Sequence, residues 1–380
     1  MRLRGAVTPG HAASTPEAGA ARRSDPPPWN RPMRLTRRAA TLSAAFATFA
    51  TCAGLLVAGP AAAQNAAPVP VRIGVIPVIG AAPVFVANGE GWLKEAGLSP
   101  TFTTFESGPN MIQALASGTI DVYVAGVAPL AVARTKGIDV RVVAATAIEE
   151  MVFVAGPKLA PYFTEGADKA QAFAQFRAKE GKAARLATQP AGSVPNTTLQ
   201  HWLWQVAKAD KANAEVVAMG IDATQQAMLA GAVDGASIRE PALTIVQMRN
   251  PAIKLIATGG EMFPDQPGTV VGVFGAFADK NPAAVEGLVK AVVRATELLK
   301  SDPARAAKPV EAALGKGITD TATITKALTS PAARFTADPR QIIEATKKMQ
   351  AYQVSIGTLD KDVPLEGLFE PKYYEAATKR

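Results

Sequence analysis

The 380-residue chain has one cysteine, two histidines and only 19% charged residues. A single cysteine excludes a disulfide-stapled scaffold. Sparse charge without long like-charge blocks, beside 48% hydrophobic residues, excludes a disordered chain. Phosphate-cradling glycine motifs are missing too: no G-x-G-x-x-G follows the first strand-like run at 71–76, and no GK[ST] occurs anywhere. At about 150 residues per domain, the length predicts two domains. The formal charge of +8 is the one feature that suggests nucleic acid or an acidic membrane. Residues 1–63, however, carry eight arginines against Glu17 and Asp25, which places +6 of it there. The other 317 residues hold +2, which offers no basic face and predicts no nucleic-acid partner.

The arginines mark a leader. From Met33 the chain has a basic start, an apolar stretch over 39–59 and small residues Ala61-Ala62-Ala63 before Gln64, the three parts of a secretory signal. We expect residues 1–63 to be an N-terminal extension and cleaved signal, with translation starting at Met33 and a periplasmic destination. Thr36-Arg37-Arg38 resembles a twin-arginine motif, but Ala40 and Thr41 follow where bulky apolar residues are preferred, so either the Sec or the twin-arginine route fits. Cys52 lies inside the apolar stretch and leaves with it. The mature chain then has no cysteine and one histidine, His201. That excludes a thiol nucleophile, a Cys/His zinc cluster and any Ser-His-Asp triad not built on His201, which itself reads as an ordinary helix residue. No catalytic residue, metal or cofactor is expected.

Beyond the leader, β-branched runs alternate with amphipathic helices. Strands are predicted at 71–76, 101–105, 122–125 and 140–145, separated by helices at 83–95, 110–117 and 130–136. The rhythm resumes with strands at 185–188, 215–218, 235–238 and 254–257 and helices at 196–208, 223–230 and 240–248. This βαβ alternation implies α/β architecture with parallel sheets and helices on both faces. The last third reads as helices at 282–299, 304–314, 321–328 and 339–353, with a single strand at 270–277. One internal repeat stands out: QALASGTID (113–121) matches QAMLAGAVD (226–234) without a gap. Each copy describes a helix ended by glycine at a left-handed cap, then a β-branched residue, then an Asp that opens the next strand. Two similarly built lobes follow from it.

In such sheets a ligand sits beyond the carboxyl ends of the strands, near helix N-termini. The candidate loops there are Ile79, Gly80, Ala81 and Ala82; Ser107, Gly108 and Asn110; Gly126 and Val127; Ser193, Val194 and Asn196; and the positions Asp222 and Glu240. They are rich in Gly, Pro, Ser and Asn. Their charged members, with Glu106 and Arg239, form no evident acid/base pair.

On these residues the chain resembles the nitrate/sulfonate/taurine family of ABC-transporter periplasmic solute-binding proteins. The stretches that carry the resemblance are 73–129, GSVPNTTLQHWL (192–203), QQAMLAGAVDGASIREPALT (225–244) and 281–303. The resemblance implies a type II periplasmic-binding-protein fold, with 71–150 plus 271–380 as lobe 1, 151–270 as lobe 2 and a helical C-terminal part. It further implies a monomer that captures a small-molecule ligand between its lobes and docks on a permease and its ATPase. By the same resemblance Ser193 Oγ and the N–H groups of Val194 and Asn196 would cap an anionic head, and Glu240 would fix an amine or an Arg. The first loop, Val78 to Ala82, is wholly apolar, which favours an organic solute with an apolar body and one anionic or polar end. The competing readings are a pyrimidine-precursor-type enzyme on the same fold and a ligand-sensing domain. The first needs a His- and Cys-rich site, and the second has no DNA-binding helix-turn-helix or second membrane segment beside it.

Overall fold

The computed structural model describes residues 67–315 and 319–379, so the expected leader, its cleavage site and Cys52 lie outside the described residues. The chain enters as β1 (Val69–Val75), whose later residues are all buried, and passes through a single 3-10 turn at Ile79–Ala81 into α1 (Ala82–Gly89) and α2 (Trp92–Glu95). One helix was expected over 83–95. It is broken at Gly91, whose φ of +81° is a left-handed conformation that costs glycine little. There follow β2 (Leu98–Thr104), α3 (Gly108–Ala116), β3 (Val122–Gly126), α4 (Ala128–Thr135) and β4 (Val140–Ala145). Pro in the first turn of α1, α3 and α4 fits positions whose N–H would have no intrahelical partner.

The chain then crosses over. After the two-residue β5 (Ala147–Ile148) come β6 (Val152–Ala155), α5 (Lys169–Glu180), β7 (Ala184–Thr188), α6 (Val194–His201), β8 (Ala214–Ala218), α7 (Ile221–Leu229), β9 (Gly235–Ile238), α8 (Ala242–Arg249), β10 (Lys254–Ala257) and α9 (Gly259–Met262). The helix predicted over 196–208 therefore ends early, and Trp202–Val206 continues it as one wider π turn. Crossing back, the chain forms β11 (Thr269–Phe274), α10 (Gly275–Lys280), α11 (Pro282–Ser301), α12 (Pro303–Leu314), α13 (Thr321–Leu328), β12 (Arg334–Phe335), α14 (Ile343–Ser355) and α15 (Lys372–Thr378).

Two five-stranded sheets result, ordered β2-β1-β3-β11-β4 and β8-β7-β9-β6-β10. They share one topology position by position. In each, the first three strands are parallel and the fourth, contributed just after a crossover, runs antiparallel to both neighbours. The parallel sheets inferred from sequence are thus mixed. A run buried at all but its last residue, such as TVVGVF, pairs in either direction, and nothing in its residues states which.

The repeat holds at atomic detail. Gly118 and Gly231 both have φ of +65°. Asp121 Oδ2 accepts from Arg72 N at 2.9 Å while Asp121 N donates to Arg72 O at 2.8 Å. Asp234 repeats both bonds to Arg185, at 2.9 and 2.8 Å and the same spacing of 49 residues. Each Asp thereby locks the start of β3 or β9 to the neighbouring strand, β1 or β7.

Both faces of each sheet are covered. Val84, Leu93, Leu288 and Val292 pack on one face of the first sheet, and Met111, Leu115 and Leu130 on the other. In the second sheet Phe153, Phe173, Phe176 and Trp202 build one side, with the Phe153 and Trp202 rings 4.5 Å apart. Burying one such side chain contributes about 1.5–3 kcal/mol. The two crossings are bonded to each other: Thr146 N donates to Thr269 O at 2.9 Å and Glu149 N to Gln266 O at 3.0 Å. The C-terminal helices reach across, α13 touching α8 and α14 touching both α4 and α6.

Candidate functional site

Where the carboxyl ends of the two sheets face each other, a cavity of about 310 Å³ opens. The first sheet supplies Pro77 and Val78 after β1, and Thr104 and Glu106 at the end of β2. The second supplies Gln189 after β7, the first turns of α7 from Ile221 to Gln226, and the stretch Ser237 to Ala242 that leaves β9 and enters α8. Met151 from the first crossing, Leu314 from the end of α12 and Thr319 ahead of α13 complete it. The interior is apolar and tight: Val78, Met151, Ile238 and Ile245 are all buried. Thr104, Glu106 and Asp222 are exposed at its mouth.

The deep polar groups are unevenly partnered. Arg239 is 4% exposed and its Nη1 donates to Glu150 Oε1 at 2.8 Å; Glu150 is 2% exposed and also accepts from Thr269 Oγ1 at 2.7 Å. Arg239 Nε and the second Glu150 oxygen have no partner among the described residues. Ser237 Oγ, on the cavity wall and buried, has none either. Glu240, 2% exposed, accepts from Thr244 N at 3.0 Å and Thr244 Oγ1 at 2.9 Å. Burial raises its pKa above the usual carboxylate value, and Ser330, Thr244 and Lys326 pull it back. Among the described residues none of Glu106, Asp222 and Glu240 forms an ion pair, and no three His, Cys, Asp or Glu side chains converge as a metal site would require.

Of the sequence-predicted positions, Asp222 and Glu240 line this cavity. Ile79, Gly80, Ala81 and Ala82 are buried beneath it; Ile79 N donates to Glu240 O at 3.0 Å, and Gly80 lies so close to Glu150 that a Cβ would stand 2.0 Å from Oε2. The remaining loops meet each other beside the cavity. A Cβ on Gly126 would come within 2.7 Å of Val194 Cγ2, and Val127 N donates to Gly268 O at 3.1 Å. Gly108 packs beneath the buried Tyr123 hydroxyl, which donates to Gly126 O at 2.7 Å. Asn110 is exposed, and its N–H donates to Ser107 Oγ at 3.4 Å. Ser193 Oγ accepts from Asn196 N at 3.3 Å and so caps its own helix α6, while the Asn196 side chain accepts from Gln200 Nε2 at 2.7 Å. Glu240 accepts from Thr244, and Arg239 donates to Glu150.

Arg239 was visible in sequence as a charge at a strand end, but its partner Glu150 stands 89 residues away. Gln189, Ser237 and Met151 carry no sequence signal beyond their place at strand ends and crossings. The Nδ1 of His201 lies 2.8 Å from Met262 O, its ring packs on Phe263 and Tyr352, and burial lowers its pKa. It lies outside the cavity wall.

Comparison with known proteins agrees with this architecture. A nitrate import ATP-binding protein, NrtC, of Synechococcus elongatus is 26% identical over 245 residues, which is 63% of this chain and 37% of that protein's length. The periplasmic nitrate-binding protein NrtA from Synechocystis PCC 6803 superposes with a TM-score of 0.68 at 14% identity, over 81% of this chain and 88% of that one. The alkanesulfonate-binding protein SsuA from Xanthomonas axonopodis pv. citri, solved with MOPS, gives 0.64 at 20% identity over 80% and 99%. The desulfurization enzyme DSZB shares the fold more distantly, with 0.56 at 12% identity over 81% and 98%. Residues 64–314 match the NMT1-like family, to which the chain therefore belongs, with the two-sheet binding-protein fold of the nitrate- and sulfonate-type members.

Proposed function

We propose that the chain is the extracytoplasmic solute-binding component of an ABC importer, a monomer that takes a small organic solute between two lobes and passes it to a permease and ATPase. Its lobes are 71–150 plus 271–380 and 151–270, and its leader directs it to the periplasm. The observation that carries the reading is the cavity at the facing carboxyl ends of two topologically equivalent sheets, with crossings at 146–151 and 263–268 on which the sheets can open and close. Among its lining residues the titratable groups are three carboxylates and Arg239, which is already engaged by Glu150; this supplies no nucleophile and base in contact. Family membership and the match to an import ATP-binding protein support the transporter partners.

Native mass spectrometry of the purified chain is the test, followed by calorimetric titration with sulfonates, carboxylates, pyrimidines and amines. A small non-covalent adduct and saturable one-to-one heat are the expected results. Conversion of an added solute to a new mass would favour the enzyme reading instead. A chain that carries no adduct and responds to none of the four classes would not be a solute receptor.

A further inference from the structure

Resting on the solute-binding reading, we propose that the cavity selects an uncharged carbonyl compound, a primary amide on a compact apolar body, held by the Arg239 Nε–H and the Ser237 hydroxyl. Both residues stand where β9 ends, two positions apart, the spacing that sets side chains on one side of a strand. Both line the cavity, at 4% and 3% exposure. Each carries a buried polar atom with no partner among the described residues, Arg239 Nε and Ser237 Oγ. Among the described residues the guanidinium is engaged only through Nη1, by Glu150 Oε1 at 2.8 Å and Thr269 Oγ1 at 3.5 Å. A buried N–H without an acceptor has given up its water for nothing, and a ligand oxygen placed there restores the bond. Nε can only donate, whereas a hydroxyl can also accept. An amide brings both complements on one planar group, its oxygen for Arg239 and its N–H for Ser237.

The charges around the wall disfavour either ion. Arg239 has its charge met by Glu150, which is 2% exposed and stands behind the wall. An anion could take the N–H but would find no uncompensated positive charge. It would also pass Glu106 and Asp222 at the mouth, neither of them in an ion pair among the described residues. A ligand ammonium finds no acceptor prepared for it. The Glu240 oxygens accept from Thr244 N and Thr244 Oγ1 at 3.0 and 2.9 Å, and Ser330 and Lys326 act on the same carboxylate. The unpartnered N–H of the neighbouring Arg239 is a donor, and an ammonium has only donors to offer it. Val78, Met151, Ile221, Ile245 and Leu314 supply apolar contacts for the body, and about 310 Å³ lies at the small end of ligand cavities. Of the anionic or polar end that the sequence leaves open, this wall fits the polar one without charge.

The test is calorimetry on the full chain with two sets of matched shape, benzamide with benzoate and benzylamine, and cyclohexanecarboxamide with cyclohexanecarboxylate and cyclohexylamine. The amide of each set is expected to bind at least about tenfold more tightly than either ion. Arg239→Lys keeps a charge for Glu150 but removes Nε, and should weaken benzamide about tenfold. If that variant does not fold, Ser237→Ala serves, since it removes only an oxygen with no partner among the described residues. It should weaken benzamide about fivefold and leave acetophenone, which has the carbonyl and no N–H, within about twofold. Tighter binding of either ion, a co-purified acid or amine, or benzamide binding indifferent to both substitutions overturns the proposal and leaves the receptor reading intact. Silence from every probe beside any co-purified solute other than an amide does the same. Silence from every probe with no adduct in native mass spectrometry removes both readings.

Discussion

Removing Glu150 tests how the crossings hold the two sheets together. Glu150 sits on the first crossing, Arg239 at the end of β9, Thr269 at the start of β11 and Gly80 after β1, so one carboxylate joins segments of both sheets. Arg239 and Glu150 are 4% and 2% exposed, and Nη1 meets Oε1 at 2.8 Å. Glu150→Ala leaves a buried guanidinium without its counter-charge. Breaking one side of such a pair costs about 3–5 kcal/mol. At about 2 °C per kcal/mol, the low end of the range for domains near 250 residues, the melting temperature should fall by roughly 6–10 °C. The double variant Glu150→Met with Arg239→Met removes both charges and keeps volume, and should recover most of the loss, because isosteric apolar replacement of a buried pair is often neutral. Calorimetric melts of the ligand-free protein and both variants measure this. A single variant that shifts by less than about 2 °C, or a double variant less stable than the single, would refute the assignment of the pair as the joint.

Ser107→Ala and Ser193→Ala should each lower stability by about 1 kcal/mol in urea titrations, because each removes the oxygen that accepts from its own helix, at Asn110 and Asn196; a loss confined to one of them would break their equivalence. Gly126→Ala should push Val194 away and widen the contact between the loops, seen as faster proteolysis, and Val194→Ala in the same chain should restore it, since the clash is with Cγ2. Burial raises Glu240, so the folded state holds that proton better than the unfolded chain does. Stability from this group is complete below about pH 4, the unfolded carboxylate range, and declines as pH rises through its folded value. Melts of Glu240→Gln across that range should show a flatter decline than the parent, and a steeper one would reverse the sign of the argument.

Most of the strands and helices were legible because they sit in βα units with strong punctuation. Gly118, Gly137 and Gly231 all adopt the left-handed cap expected at the ends of their helices. The segment from 146 to 184 gave no reading. There β6 is buried at every position and so lacks alternation, and α5 buries only Ala172, Phe173 and Phe176. Strand direction was illegible at β11 because pairing is decided by where the chain returns, not by the residues that pair. The site was half legible: Asp222 and Glu240 were found as carboxylates at strand ends, whereas the Arg239–Glu150 pair depends on a crossing that only the folded chain brings near β9. Small residues of the strand-end loops pack on one another across the two sheets, as Gly126 does on Val194, and their spacing in sequence does not show that contact.

The shared topology of the sheets gives them unequal histories. Every strand of the second sheet lies between Val152 and Ala257, so that sheet can close on itself once this stretch has been made. The first sheet begins at Val69 but waits for β11 to fill the gap between β3 and β4, and until Thr269–Phe274 arrives those two strands present open edges to their surroundings. The earlier-made half of the protein is therefore the later-finished one, and it is the half whose open strand edges a chaperone would have to shield.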